Sequence, residues 1–263
     1  MDRIPARSAA AAMLLTLLPI CSIDAAELNV LAGGAMRAAL QELIPPFEHS
    51  SGHSVHIEYG TVAKVAERVS AGDPVDVAVL TKPPLDKLID NGRIAAGTAV
   101  PLARVPIGLA VPAGVSRPDV GSVEAIVKAL KEAKYITYGD PGMGDAAGVH
   151  VSKEIERLGL AAELKSKTRL ISPAPGQSGA QFLSGLFERG ETELAIAPIS
   201  VLMETRGAVI VGLLPPELQS PDLVFFAGTT RTSKQPAEAG TLIDFLHGEQ
   251  AKAAYRAKGM DPS

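Results

Sequence analysis

The sequence predicts an α/β fold, and three observations lead there. Short apolar runs of strand type alternate with stripes of helical period along nearly the whole chain. Several helical stripes carry their own punctuation: Ser122 stands where an N-cap is expected, and Gly92 and Gly159 follow Asn91 and Leu158 where a left-handed cap ends a helix. Glycine-rich turns join strands to helices, while internal repeats and long Pro/Gly linkers are absent from the sequence. One strand per helix predicts mainly parallel sheets covered on both faces.

Taken in order, the first strand is Leu28 to Ala32, broken by Gly33-Gly34 and followed by a helix over Ala35 to Ser50 that carries Met36, Leu40, Leu43 and Phe47 on one stripe. Val55 to Tyr59 reads as a strand, Val62 to Ala71 as a helix, Val75 to Leu80 as a strand and Pro83 to Asn91 as a helix opened by proline. Val105 to Val111 is an apolar run expected to cross between two halves of the molecule. Strands at Tyr135 to Tyr138, Thr168 to Ile171 and Leu194 to Ala197 alternate with helices at Val123 to Ala133, Gly148 to Leu158 and Ser178 to Glu188. Ile199 to Thr205 is a further short helix, Val209 to Leu213 and Leu223 to Ala227 are strands, and Ala237 to Ala257 reads as one long helix.

The N-terminus reads as an export signal rather than as part of the fold. Arg3 and Arg7 form a positive region, Ala9 to Ile20 an apolar one, and Ala25-Ala26 a small-residue cleavage zone, so residues 1–26 are expected to be removed and the protein to work in the periplasm. The apolar run is too short for a spanning helix, which needs about 20 residues. Cys21 is preceded by bulky Ile20 where a lipid-attachment site wants a small residue. Removal of 26 of 263 residues leaves about 237 and takes Cys21, the only cysteine, with it, so neither disulfide nor thiol chemistry is expected. With 46% apolar residues the remainder can bury a sizeable core, as one large domain or two lobes. The net charge of −4 argues against a nucleic-acid partner but leaves room for a small anion, because local dipoles set the potential of a pocket.

Four turns carry chemically useful groups: Gly33-Gly34-Ala35-Met36-Arg37, Tyr59-Gly60-Thr61-Val62-Ala63-Lys64, the segment from Gly139 through Asp145 and Gly148 to His150, and Pro175 to Gln181. Each lies between a strand and a helix, where ligands bind in open α/β sheets and where the first unpaired N–H groups of a helix favour an anion. The plain alternative is that glycine only relieves a tight connection. No segment has the spacing of a dinucleotide fingerprint or a P-loop, and no Gly-x-Ser-x-Gly elbow is present, so neither a nucleotide cofactor nor a serine hydrolase is expected. The ligand-facing candidates are Gly34, Ala35, Met36, Arg37, Gly60, Thr61, Lys64, Lys82, Ala147, Gly148, His150, Ser178 and Gln181. Arg37 and Lys64 fall in first helical turns, where the dipole disfavours a cation, so a nearby anion would explain them; Lys82 follows a strand end that faces the same side. His49, His53 and His56 straddle a helix end and a strand and suit surface positions rather than a metal site, so no metal is expected.

The blocks Leu31-Ala32-Gly33-Gly34-Ala35-Met36-Arg37, Ala71-Gly72-Asp73-Pro74-Val75-Asp76, Gly139-Asp140-Pro141 with Ala147-Gly148, and Phe245 to Ala251 resemble, in that order, the periplasmic molybdate-binding proteins and their relatives. The resemblance spans essentially the whole mature chain. It implies a type II periplasmic binding fold, with two α/β lobes joined by crossing strands: lobe 1 from 27–108 and 214–263, lobe 2 from 109–213. It implies a monomer that captures a small anion and hands it to an ABC importer. In that family two serine hydroxyls and a tyrosine contribute to the oxyanion site, and the matching positions here are Ala35, Val62 and Pro198, with Ala147 and Ala180 at main-chain contacts. Without those hydroxyls, and with Arg37, Lys64 and Lys82 in place, the expectation turns from molybdate to an organic carboxylate, whose planar oxygens match arginine. Aconitate isomerases are similar to the same family, so a second reading stays open: a tricarboxylate isomerase with those cations as clamps and His150 or Asp145 moving an allylic proton.

Overall fold

The computed structural model describes residues 25–263; residues 1–24, which hold Cys21 and all but the last two residues of the expected export signal 1–26, lie outside the described residues. Strands are β1 (Glu27–Gly33), β2 (Ser54–Gly60), β3 (Val77–Thr81), β4 (Val100–Arg104), β5 (Ile107–Pro112), β6 (Ile136–Gly139), β7 (Thr168–Ile171), β8 (Leu194–Pro198), β9 (Ala208–Leu213), β10 (Val224–Thr229) and the short β11 (Asp261–Pro262). Helices are α1 (Arg37–Ser51), α2 (Val62–Ala71), α3 (Lys82–Asp90), α4 (Val123–Glu132), α5 (Ala146–Arg157), α6 (Ala161–Leu164), α7 (Gly179–Glu188), α8 (Ile199–Glu204), α9 (Pro236–His247) and α10 (Glu249–Ala257). None of the described helices is long and apolar enough to cross a membrane.

The strands form two sheets, each the floor of one lobe. Sheet 1 runs β11-β4-β10-β3-β1-β2 and sheet 2 runs β7-β6-β8-β5-β9. Both are mixed, which corrects the expectation of mainly parallel sheets. β1 pairs in parallel with β2 and β3, and β6 with β7 and β8, as the strand–helix alternation requires. The strands next to the lobe crossings run the other way: β10 is antiparallel to β3 and β4, and β5 to β8 and β9. A strand entering from the other lobe arrives at the opposite end of its sheet, so it reverses the direction that a helical return would impose.

Each lobe has its own core. Leu28, Leu40, Phe47, Leu80, Phe225, Leu242 and Tyr255 are buried between sheet 1 and its helices, and the Tyr255 hydroxyl donates to the Leu246 carbonyl at 2.8 Å. Ile107, Leu109, Ile126, Ile136, Val151 and Ile196 fill one side of sheet 2, and Leu183, Phe187 and Leu202 lie in a second cluster of that lobe. Leu214, Leu218 and Leu223, which the expected boundary at 213/214 gave to lobe 1, are buried with the core of sheet 2. The two crossings lie side by side, joined by the Val105 N–H to Leu223 carbonyl bond at 2.9 Å.

Three local differences from the sequence reading have simple causes. The expected strand Val105 to Val111 is β5, which begins two residues later at Ile107, because Pro106 has no N–H for a ladder. The expected helix Ala237 to Ala257 is α9 and α10, broken at Gly248, whose extended backbone ends one helix and caps the next. His53, expected at the surface, is buried and accepts the Ala26 N–H at Nδ1, 3.2 Å away. Among the described residues no three His, Cys, Asp or Glu side chains converge in metal-binding fashion.

Candidate functional site

A cavity of about 530 Å³ opens between the lobes, in the size range of small-molecule sites. Lobe 1 lines it with Gly34, Ala35 and Arg37 at the end of β1, with Tyr59 to Val62 and Lys64 at the end of β2, and with Phe225. Lobe 2 contributes Gly139, Met143, Asp145 to Ala147, the loop from Pro173 to Gly179, and Pro198. The ends of β1 and β2 meet here because the strands pair in register through Gly33 and Gly60. That register places the starts of two helical segments side by side at the mouth of lobe 1.

The helices that open on the cavity are capped by their own residues. Thr61 Oγ1 accepts the Lys64 N–H at 3.3 Å, Asp145 Oδ1 the Gly148 N–H at 2.6 Å, and Ser178 Oγ the Gln181 N–H at 3.1 Å. In return Gln181 Oε1 accepts the Ser178 N–H at 2.9 Å, completing a capping box. A cap satisfies the third N–H of a helix and leaves the first ones. Those of Val62, Gly179 and Ala180 have no protein acceptor among the described residues.

Among the described residues four side chains of acidic or basic type line the cavity, besides Tyr59, and their pairing separates them. Glu58 is held by Arg68, whose bond keeps its carboxyl below the usual range. Lys64 is exposed and bonded to Glu67 at 2.9 Å. Arg37 lies over the Tyr59 ring, 4.1 Å from its centroid, and makes no ion pair among the described residues. Stacking of this kind is worth about 0.5–1 kcal/mol at exposed sites, enough to offset a cation's cost at a helix N-terminus of about 0.3–1 kcal/mol. Burial pushes the Tyr59 phenol up to about 12, so it stays a neutral platform. Asp145 packs against Gly139 at the start of α5 without an ion pair among the described residues. Burial raises its carboxyl above the usual range against the pull of the Gly148 and Ala147 N–H groups, and neighbouring Asp140 adds to the rise.

The cavity gathers Gly34, Ala35, Arg37, Gly60, Thr61, Lys64, Asp145, Ala147 and Ser178 from the sequence-derived candidates; the others lie outside its lining. Met36 points into the core of lobe 1, fully buried. Lys82 starts α3 and binds Asp86 one turn on, 2.7 Å away, so a helical partner accounts for it rather than the cleft. His150 Nε2 lies 3.0 Å from the Leu218 carbonyl, and Gln181 serves the capping box. Gly148 has no room for a side chain: a Cβ there would overlap the Gly139 carbonyl, so it lets α5 sit close on β6. Of the residues the sequence reading left out, Tyr59 had a signal, an aromatic directly before a turn glycine. Phe225 had none, since β10 joins the lobe 1 wall 161 positions after Lys64.

The lobes touch directly beside the cavity. Thr61 Oγ1 donates to the Met143 carbonyl at 2.8 Å, the Ala63 N–H to the Gly144 carbonyl at 3.3 Å, and Ser200 Oγ to the Ala35 carbonyl at 2.7 Å. Gly144 has φ +70° and lies so close to Ala63 that a side chain at 144 would overlap the alanine methyl.

Two α/β lobes, joined by paired crossings and meeting over a cleft that both line, define a type II periplasmic binding fold. The chain belongs to the bacterial extracellular solute-binding protein family, whose sequence model matches residues 28–261. It is similar to the aconitate isomerase of a Pseudomonas species, at 27% identity over 99% of this chain and 97% of that protein. It is likewise similar to the molybdate-binding protein ModA of Azotobacter vinelandii, at 27% identity over 91% of each chain. The solved structure of the Azotobacter vinelandii periplasmic molybdate-binding protein superposes with a TM-score of 0.71, at 19% identity, over 89% of this chain and 98% of that one.

Proposed function

We propose that this protein captures a small organic carboxylate in the periplasm and delivers it to an ABC importer. The observation that carries the reading is Arg37: a guanidinium in the inter-lobe cavity, steadied on Tyr59 and without an acidic partner among the described residues. Its planar fork suits a carboxylate. The oxyanion alternative is disfavoured by the lining, since Ala35, Val62 and Pro198 stand in the cavity where the resemblance to molybdate binders would want hydroxyls. The N–H groups of Val62 and Gly179, which line the cavity and have no protein acceptor among the described residues, would supply further donors.

Thermal melts of the mature protein against molybdate, sulfate, phosphate and a series of mono-, di- and tricarboxylates test this, because a ligand that binds only the folded state raises the midpoint. Stabilisation by carboxylates is expected; stabilisation by molybdate alone would sink the proposal. A second reading, catalysis of a tricarboxylate isomerisation, is favoured by one finding, the similarity to an aconitate isomerase along the full chain. On that reading Asp145 is the proton carrier, because His150 is turned towards Leu218. Incubation with cis- or trans-aconitate separates the two: a changing isomer ratio means turnover, a constant one means capture.

A further inference from the structure

The two walls of the cavity are chemically unlike. Among the described residues, lobe 1 offers a cation without an acidic partner, Arg37, while lobe 2 offers an acid without a basic one, Asp145, and the two form no ion pair with each other. Asp145 is engaged by backbone alone: Oδ1 accepts the Gly148 N–H at 2.6 Å, and the neighbouring Ala147 N–H also draws on the carboxyl. No side chain donates to the carboxylate among the described residues, although the residue lines the cavity. A second carboxylate from a ligand placed there would set two acids face to face, which is unfavourable in a cleft closed to water. A neutral or cationic X–H group would satisfy the carboxylate instead.

We infer that the ligand is bifunctional, with a carboxylate facing Arg37 and a hydrogen-bond donor, a hydroxyl or an ammonium, facing Asp145. The inference rests on the carboxylate reading above and narrows it to hydroxy or amino acids. The remaining charges on the cavity leave that division intact, since Lys64 is held by Glu67 and Glu58 by Arg68.

The test uses ligands that differ only in the donor. Succinate, malate and aspartate carry hydrogen, hydroxyl and ammonium at the same carbon; tricarballylate and citrate form a second pair. Calorimetric titration of the mature protein is expected to give at least about tenfold tighter binding for malate or aspartate than for succinate, or for citrate than for tricarballylate, because the plain acid leaves Asp145 unpaired. The preferred member identifies the donor. Asp145→Asn, which retains an N-capping oxygen but turns an NH2 to the cavity, is expected to abolish the preference. Equal or tighter binding of succinate and tricarballylate by the wild type overturns the inference and leaves the carboxylate reading standing, as does a preference that survives Asp145→Asn. Failure of every carboxylate to bind overturns both.

Discussion

Gly144→Ala separates the stability of the lobes from their closure. Gly144 sits at φ +70°, where alanine costs about 1–2 kcal/mol whether the cleft is open or shut. In a chain of this size that lowers Tm by roughly 2–8 °C. A second effect exists only in the closed form, because the new methyl would overlap that of Ala63. Relieving the overlap parts the Thr61–Met143 bond of 2.8 Å and the Ala63–Gly144 bond of 3.3 Å. At about 0.5–1.5 kcal/mol each, closure loses about 1–3 kcal/mol, and ligand affinity falls about 5- to 150-fold. Adding Ala63→Gly removes the overlapping methyl and leaves Ala63 Cα at 3.5 Å and N at 3.7 Å, which is ordinary contact. The double variant should therefore recover affinity to within about threefold while keeping the lower Tm. Titration calorimetry with the best-stabilising carboxylate, paired with small-angle scattering of the saturated protein, reads both quantities. Unchanged affinity in Gly144→Ala, or no recovery in the double variant, would refute a direct lobe-to-lobe latch.

Other substitutions probe other parts of the site. Arg37→Ala should weaken carboxylate binding by about ten- to a hundredfold, the worth of a charge-assisted bond, while Lys82→Ala should leave affinity unchanged; titration of both decides whether the cations were sorted correctly. Gly148→Ala should destabilise by about 1–3 kcal/mol despite alanine's better helix propensity, because the obstacle is the Gly139 backbone, with its Cα 2.9 Å from the added carbon; a Tm at or above wild type would contradict the close approach. Asp145 has a raised folded-state pKa, so its stabilising contribution is present below the unfolded value of about 3.9 and lost as pH rises through the folded one. Paired melts should then show wild type losing ground to Asp145→Asn between acid and neutral pH, and a difference that stays flat with pH would refute the shift.

The parts of the fold that were legible in the sequence are those set by neighbours in the chain. α2 begins at Val62 and ends at Ala71 as its helical period indicates, and β7 matches its apolar run. What escaped depended on distant parts of the chain. β4 begins with Val100-Pro101, a poor strand signature, and is held by β10 and β11 from the far end of the chain. The site divides in the same way. Turn glycines located Gly34, Gly60 and Ala147, but Lys82 was judged by its strand end alone, and its partner Asp86 four residues on gives it a role on its own helix. The opposition of Arg37 and Asp145 could not be read locally either, since they are 108 positions apart and meet across the cleft.

The paired crossings also govern the order in which the molecule can assemble. All five strands of sheet 2 lie in one unbroken stretch, Ile107 to Leu213, whereas sheet 1 needs both β1 to β4 and the late strand β10. β3 and β4 flank β10 rather than each other, so until Val224 to Thr229 is available the first sheet is two separate pieces with an empty slot between them. Emerging from its N-terminus, the chain can complete its second lobe before its first. The loop-closure entropy of joining β10 to β3 is met by a folded insert that already holds its two ends together at Val105 and Leu223. Variants that weaken the core of lobe 2 should for that reason slow the folding of both lobes, while those at α9 and α10 should slow only the first.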